Sequence, residues 1–224
     1  TSAAIRLARA YTKRDKIAVA GYHGWHDWYI GSTTRDLGVP ESVKELTYKF
    51  SLNNLNLLKE KLNTKEFSAV ILEPALNIKD IENILLELRS ITKETGTLLI
   101  FDEIISGFRI HIGGAQSKYN VIPDLSTFGK SMANGMPISA IVGRKNIMKY
   151  MNEIFFSSTF GGETLSIAAS IATIDKLEQK DAIEKMNNTG KTLIMGLNKI
   201  LRKSKIKNMC KFEGPNWWPR FVIT

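Results

Sequence analysis

Short apolar runs alternate along the chain with longer amphipathic stretches, a pattern typical of an α/β protein. The apolar runs predict buried strands, and stretches with leucine or isoleucine at helical spacing predict helices. The predicted strands are 16–20, 45–50, 67–72, 98–101, 123–128, 137–143 and one in the 213–223 tail. The predicted helices are 3–11, 52–62, 81–93, 145–151, 165–177 and 182–201.

The order strand, helix, strand across residues 67–101 predicts a βαβ unit with two parallel strands. Asp80 stands where the cap of its helix is expected. Both strands end in acids, Glu73 after the first and Asp102 after the second. Because parallel strands deliver their last residues to the same edge of a sheet, we expect these two carboxylates to emerge close together.

A buried carboxylate needs a cationic partner, and the sequence offers one candidate for Asp102. Lys130 follows it by 28 positions, in Thr-Phe-Gly-Lys-Ser, directly after another predicted strand. A lysine held in such a pocket can lose its charge by desolvation and become a nucleophilic amine, as in a Schiff-base lysine. The alternative is a buried Asp102–Lys130 ion pair that only holds two strands together.

Two loops add to this chemistry. The loop at 21–29 is dense in aromatic residues and glycine, and the loop at 157–164 is rich in hydroxyls and glycine. Pyridoxal phosphate needs a lysine for its aldehyde, an anion for its pyridinium nitrogen, a stacking surface for its ring, and amides and hydroxyls for its phosphate. The sequence therefore predicts a pyridoxal phosphate site at this sheet edge.

Five segments, in chain order, carry a family resemblance: GYHGWHDW, ILEPALN, LLIFDEIISGFR, STFGKSMANGMP and SSTFGGET. Together they resemble the class III aminotransferases among the fold-type I pyridoxal phosphate enzymes, especially the glutamate-1-semialdehyde aminomutase-like branch. The resemblance covers nearly the whole chain. It implies the large domain of this fold, a mostly parallel mixed sheet with helices on both faces, at residues 1–178. Residues 179–224 would form a connecting helix and the beginning of a small C-terminal α+β domain.

The resemblance also implies a role for each candidate residue. Lys130 would be the Schiff-base lysine that moves a proton, and Asp102 the partner of the pyridinium nitrogen. Tyr22 would stack on the ring with His23 beside it, while Glu73 and Asn77 would line the substrate pocket. Thr159 would bind the phosphate in the other subunit's site, so that a homodimer shares its active sites. The implied reaction is amino transfer, or 2,1-aminomutation, on a small amino compound.

The ends of the sequence predict that it is part of a longer protein. The first residue is Thr1, and the first segment already has the periodicity of a helix in progress. In the family, a Gly-Ser pair at the start of this helix holds the phosphate, and the chain begins just after the expected place. The small C-terminal domain would begin around 214–221 and is cut off at Thr224.

Composition adds little to the functional assignment. With 43% hydrophobic and 24% charged residues, the 224-residue chain can bury a large core. Its net charge of +9 is partly concentrated in the segment 199–211, which we call the basic segment and interpret as a solvated helix end and loop. The alternative function is a non-catalytic binding or scaffold protein that uses the basic segment. No nucleic-acid motif accompanies it, so we expect no nucleic-acid partner.

The single cysteine, Cys210, excludes an internal disulfide and fits a reducing compartment, so we expect a cytoplasmic protein. No apolar run reaches the length of a membrane span, and we predict no membrane partner. His23, His26 and Asp27 have a spacing seen in metal ligands, but they lack a further well-placed ligand, and no metal site is predicted.

For three further residues the sequence allows two interpretations. Trp25 and Trp28 fit core or interface aromatics better than ligand contacts. Glu103 fits either a second acid of the pocket or a salt-bridge partner, for example of Arg109.

Overall fold

The computed structural model describes residues 1–75, 78, 80–179 and 181–224, which form an α/β protein. The strands are β1 (Lys16–Ala20), β2 (Thr47–Lys49), β3 (Phe67–Leu72), β4 (Leu98–Asp102), β5 (Leu125–Phe128), β6 (Ala140–Gly143), β7 (Cys210–Glu213) and β8 (Arg220–Ile223). The helices are α1 (Ser2–Thr12), α2 (Asp27–Ile30), α3 (Glu41–Lys44), α4 (Leu55–Leu62), α5 (Ile81–Thr95), α6 (Gly114–Lys118), α7 (Lys145–Met148), α8 (Thr164–Gln179) and α9 (Ala182–Leu201). Short 3₁₀ turns occupy Lys130–Met132 and Lys149–Asn152.

The main sheet has the order β2-β1-β3-β4-β5-β6. Neighbouring strands are parallel from β2 through β5, and β6 pairs antiparallel with β5. This confirms the predicted mostly parallel mixed sheet, with β3-α5-β4 as its βαβ unit. The carboxyl ends of β1, β3, β4 and β5 therefore share one edge, which is where proteins of this class place their ligands.

Helices cover both faces of the main sheet, as predicted. Leucines at helical spacing in α4 and α5, including Leu58, Leu62 and Leu88, pack on one face around Phe101. On the other face, α1 and α7 bury apolar residues against β1, β3 and β4. All five residues of β4 are buried, which is why this strand is an uninterrupted apolar run until its final aspartate.

Several element boundaries differ from the predictions. The strand predicted at 45–50 is shorter: it spans Thr47–Lys49, which pair with β1 at the edge of the sheet. The aromatic loop contains the short helix α2, and α3 begins after Pro40 in a segment predicted to be irregular. Both helices have a single turn, and one turn is too short for a periodic pattern to predict.

Asp80 occupies the N-cap position of α5 but does not cap it through its side chain. Its carboxylate instead accepts a hydrogen bond from the Asn83 amide at 2.7 Å. Gly96 ends α5 in the left-handed conformation, with φ of +65°, as expected of a C-terminal glycine.

After α9, the chain forms a separate two-stranded antiparallel sheet from β7 and β8, of which only β8 was predicted. The Asn198 side chain joins α9 to this sheet, because its amide donates to the Phe212 carbonyl and its oxygen accepts the Phe212 N–H. The division into domains 1–178 and 179–224 stays a prediction. Among the described helices, none is long and apolar enough to cross a membrane.

Candidate active site

Four chemically active segments meet at the carboxyl edge of the main sheet. The turn 21–23 follows β1, Glu73 follows β3, Asp102 ends β4, and Lys130 lies two residues beyond β5. The parallel order of these strands brings the segments together, although they are far apart in the sequence.

Asp102 is the buried centre of this edge, with only 4% of its surface exposed. One carboxylate oxygen lies 2.7 Å from Nδ1 of His23. The other accepts hydrogen bonds from the Thr127 hydroxyl and the Ile104 N–H, each at 3.2 Å. Within the described part of the chain, no lysine or arginine pairs with Asp102. The alternative considered for these residues, an Asp102–Lys130 ion pair, is therefore not formed.

His23 is buried at the edge of the sheet, unlike the exposed Tyr22 that precedes it. It is 2% exposed, and its Nε2 lies 3.1 Å from the Ala20 carbonyl oxygen. The imidazole stacks on Trp28 and meets Tyr29 edge-on. With both ring nitrogens engaged, His23 can orient Asp102 but is not free to bind a metal. Among the residues that the structure describes, no group of three or more His, Cys, Asp or Glu could hold a metal ion.

Tyr22 presents an exposed ring at the mouth of this edge, with 57% of its surface accessible. Its backbone N–H donates to the Glu73 carboxylate at 2.9 Å. Gly21 permits this approach: it has φ of +99°, and a Cβ there would lie 2.6 Å from Oε2 of Glu73. The turn after β1 is thus fastened to the end of β3.

The pKa of Glu73 reflects the burial and the charges at this edge of the sheet. Burial raises the pKa of its carboxyl group above the usual value, and the Tyr22 N–H opposes that shift. Electrostatic interaction with His23 and Lys130 also lowers this pKa, while Asp102 raises it. The Lys130 ammonium and the Asp102 carboxylate therefore both lie within electrostatic reach of Glu73.

Lys130 opens a 3₁₀ turn in the left-handed conformation, with φ of +43°. Such a conformation is strained for a residue with a side chain. The next residue, Ser131, fastens the turn by donating its hydroxyl to the Gly107 carbonyl at 2.8 Å. Within the described residues, the Lys130 amine has no hydrogen-bond or ion-pair partner, and its side chain is exposed.

Two cavities that share no lining residue lie in this region. One of about 400 Å³ is bordered by His23, Thr127 and Ile104 together with the start of α1. The other, of about 720 Å³, is bordered by Lys130, Arg109 and the α8–α9 region. Asp102 and Lys130 thus belong to one edge without touching each other.

The remaining predicted residues lie apart from this centre. Thr159 is exposed and borders a different cavity, together with Ser139 and Phe160. Asn77 lies outside the described residues. Trp28 is buried, as a core aromatic would be, whereas Trp25 is 77% exposed.

Glu103 adopts neither of its two predicted roles. It is fully buried, and its carboxylate accepts hydrogen bonds from the Ala115 N–H at 2.7 Å and the Ser106 hydroxyl at 3.3 Å. Arg109 instead donates to the carbonyl of Ile105.

Sequence reasoning missed Thr127, which reaches Asp102 because β4 and β5 pair in the register Asp102↔Thr127. The alternation of β5 could indicate which of its residues face together, but no local pattern fixes the register with β4.

Comparison with known proteins places this geometry in a family. The family model described as "Aminotransferase class-III" matches residues 1–212. The chain is 38% identical over 228 residues to a 3-aminobutyryl-CoA aminotransferase of Cloacimonas acidaminovorans, covering 98% of this chain and 54% of the relative. It is 39% identical over 223 residues to a glutamate-1-semialdehyde 2,1-aminomutase of Archaeoglobus fulgidus, covering 92% of this chain and 53% of the relative. The chain therefore spans about half the length of these curated relatives.

The fold also resembles solved structures of pyridoxal phosphate enzymes. The structure of the FumI protein of Sphingopyxis sp. MTA144, solved in its "PLP internal aldimine form", superposes with a TM-score of 0.84. That match has 25% sequence identity and covers 100% of this chain and 55% of the other. The shared fold and the match to the family model agree with the edge chemistry of Asp102, His23 and Lys130. The chain belongs to the class III aminotransferase family.

Proposed function

We propose that this chain carries the cofactor site of a pyridoxal-phosphate-dependent enzyme that transfers an amino group on a small amino compound, or shifts it within one. The observation that carries the proposal is the buried Asp102 carboxylate at the ligand-binding edge of the sheet. It is oriented by His23 and Thr127, and no lysine or arginine among the described residues neutralises it. A buried anion of this kind is matched to a cationic ligand group.

The surrounding groups fit the other parts of the cofactor. The cavity beside His23 is also bordered by Thr1, Ser2 and Ala3 at the start of α1. The first N–H groups of a helix lack intrahelical acceptors and favour a phosphate. Tyr22 offers an exposed aromatic face, and Lys130 offers an unengaged amine on the same edge.

Each residue then has a defined task. Asp102, held by His23, would keep a proton on the ring nitrogen, and Tyr22 would cover one ring face. Lys130 would hold the cofactor through its amine, and the same amine, when free, can accept and return a proton. Pyridoxal phosphate, when bound, supplies an electron sink next to the reacting carbon. Glu73 and Asn77 remain proposed substrate contacts.

The comparisons support both amino transfer and aminomutation, since the relatives bear both kinds of name. They do not favour the alternative of a scaffold protein that uses the basic segment. A cytoplasmic location is part of the proposal, supported by the single unpaired Cys210.

The test is to incubate the purified protein with pyridoxal phosphate, reduce with borohydride, and locate the added mass on peptides. We expect the label on Lys130 and none after Lys130→Ala. The matched control is Lys65→Ala, because Lys65 is another left-handed lysine, near the start of β3 at the opposite edge of the sheet. Loss of the label in Lys65→Ala, or a label on another residue in Lys130→Ala, would refute the assignment of Lys130.

We also propose that the protein works as a homodimer. Large apolar side chains are exposed along residues 155–171: Phe155, Phe156, Phe160, Leu165, Ile167 and Ile171. Among the described residues of α8, only Ser166 and Ser170 are buried. Exposed apolar side chains concentrated in one segment favour an interaction site. Thr159 belongs to this segment, and we propose that it is supplied to a partner's site.

Sedimentation velocity tests the dimer. Phe160→Glu should shift the protein to monomer. Ile122→Glu changes an equally exposed apolar residue outside this segment and should leave the dimer intact. A monomeric parent protein would overturn this part of the proposal and leave the cofactor site to be judged separately.

A further inference from the structure

Glu103 is the buried acid that the proposed chemistry leaves unused. It follows Asp102 directly, and its backbone N–H donates to the Thr127 carbonyl at 2.9 Å, which continues the pairing of β4 with β5 by one residue. Consecutive residues of a strand point to opposite sides. The Asp102 carboxylate meets His23, while the Glu103 carboxylate meets the loop 104–115.

The Glu103 side chain fastens both ends of this loop. Its Oε2 accepts the Ala115 N–H at 2.7 Å at the far end and the Ser106 hydroxyl at the near end. Gly114 closes over the other oxygen: it has φ of +71°, and a Cβ there would lie 2.4 Å from Oε1. That oxygen is buried and lacks a hydrogen-bond partner.

The same loop supports the turn that carries Lys130. The Gly107 N–H donates to the Glu103 carbonyl at 2.9 Å, and the Gly107 carbonyl accepts the Ser131 hydroxyl at 2.8 Å. A Cβ on Gly107 would lie 2.6 Å from the Phe128 ring, so this segment sits directly on the end of β5. A strained residue such as Lys130 keeps its conformation only when its surroundings hold it firmly.

We propose that Glu103 is a positioning residue: its buried carboxyl group holds the loop 104–115, and through the Gly107–Ser131 hydrogen bond it fixes the turn that presents Lys130. This inference rests on the proposed function, because it assigns Glu103 to the presentation of the cofactor lysine.

The electrostatic surroundings make this hold dependent on pH. Burial raises the pKa of Glu103 to about 7, against the opposing hydrogen bonds from Ala115 and Ser106. Asp102 raises it further, and Glu103 in turn raises the pKa of Tyr119 at the end of α6. On the loop, Arg109 donates to the Ile105 carbonyl and His111 accepts from the Gly113 N–H, so neither side chain engages Glu103 through these contacts. A raised pKa means that the closed fold favours the protonated group, so ionisation above this pKa weakens the hold on the loop.

The experiment compares the rate of borohydride-trapped labelling of Lys130 in the parent protein and in Glu103→Gln, which keeps the shape and removes the charge. Glutamine resembles the protonated acid, so we expect labelling about tenfold slower in the parent protein than in the variant at about pH 8, since small displacements of a reacting group are this costly. At about pH 6, where Glu103 is protonated, the two rates should be similar.

The control is Asp124→Asn. Asp124 is a buried acid at the opposite end of the same two strands, bonded to the Leu99 N–H and Arg89. This variant should lower thermal stability and leave the pH dependence of labelling unchanged. A rate ratio for Glu103→Gln that is the same at both pH values, or a pH effect shared by Asp124→Asn, would overturn the proposal.

Amide hydrogen exchange of residues 104–115 and 130–131 provides a readout without cofactor. Exchange in Glu103→Gln should be slower than in the parent protein at about pH 8 and equal at about pH 6. If the parent protein takes no label at Lys130, the proposed function fails, and exchange alone then decides whether Glu103 holds the loop. Equal exchange at both pH values would reject that hold.

Discussion

Replacing Glu103 by glutamine should remove a pH dependence of stability that the fold itself creates. The carboxyl group is fully buried, and burial raises its pKa from 4.5 to about 7. Its charged form is therefore disfavoured in the folded protein relative to the unfolded chain. Glutamine has nearly the same size and can still accept the Ala115 N–H, so the substitution changes the charge with little change in packing.

The magnitude follows from the pKa. Each pKa unit corresponds to about 1.36 kcal/mol, so a rise from 4.5 to about 7 corresponds to about 3 kcal/mol. Between these values the folded protein binds more protons at Glu103 than the unfolded chain does. The free energy of unfolding therefore falls as pH rises through this window, and the full cost is present above it.

Thermal unfolding of the parent protein and Glu103→Gln across this pH range measures the effect. The variant should have a higher free energy of unfolding than the parent protein at about pH 8. This difference should exceed the one at about pH 5 by about 3 kcal/mol. For a chain of this size, that corresponds to roughly 6–12 °C in Tm. Parallel curves for the two proteins would refute the reasoning, because they would mean that Glu103 has the same pKa in the folded and unfolded states.

Three further substitutions separate stability from chemistry. Lys130→Gly should abolish borohydride labelling at that position yet leave stability within about 1 kcal/mol, because glycine tolerates the left-handed conformation; a protein that fails to fold would contradict this. Asp124→Ala should lower the free energy of unfolding by about 3 kcal/mol, since it leaves the Leu99 N–H and the partly buried Arg89 without their partner. Urea unfolding measures the change, and a loss below about 1 kcal/mol would argue against a stabilising buried ion pair. Asp102→Asn should keep Tm within a few degrees and lower kcat/KM at least about 100-fold, because the charge proposed to face the ring nitrogen is lost. Steady-state kinetics with a small amino compound measures it, and full activity would exclude Asp102 from that role.

Much of the scaffold was predictable from local patterns. The strands β1 and β3 and the helix α9 have the predicted bounds, because their apolar runs or helical periodicity are uninterrupted and end at clear signals. The acids after β3 and β4 were also predictable, since a charge that directly follows a buried run must lie at the sheet edge. Short elements such as α2, α3 and β7 were not, because three or four residues carry no measurable period.

The contacts of the site needed the tertiary structure. His23 reaches Asp102 across 79 positions, and Thr127 reaches it through the pairing register of β4 with β5. Register and packing between distant segments are collective properties of the folded core, which no local window contains. The adjacent acids Asp102 and Glu103 also have different partners in the fold. Asp102 contacts the His23 imidazole, and Glu103 accepts a backbone N–H of the loop that follows it.

The sequence by itself thus determined which residues could do chemistry and at which edge of the sheet they stand. The tertiary structure decided which of them touch, how much each is desolvated, and therefore which are oriented, charged or exposed. The physical reason is that hydrophobic periodicity acts over a few residues, whereas hydrogen bonding and desolvation depend on neighbours that only chain folding supplies.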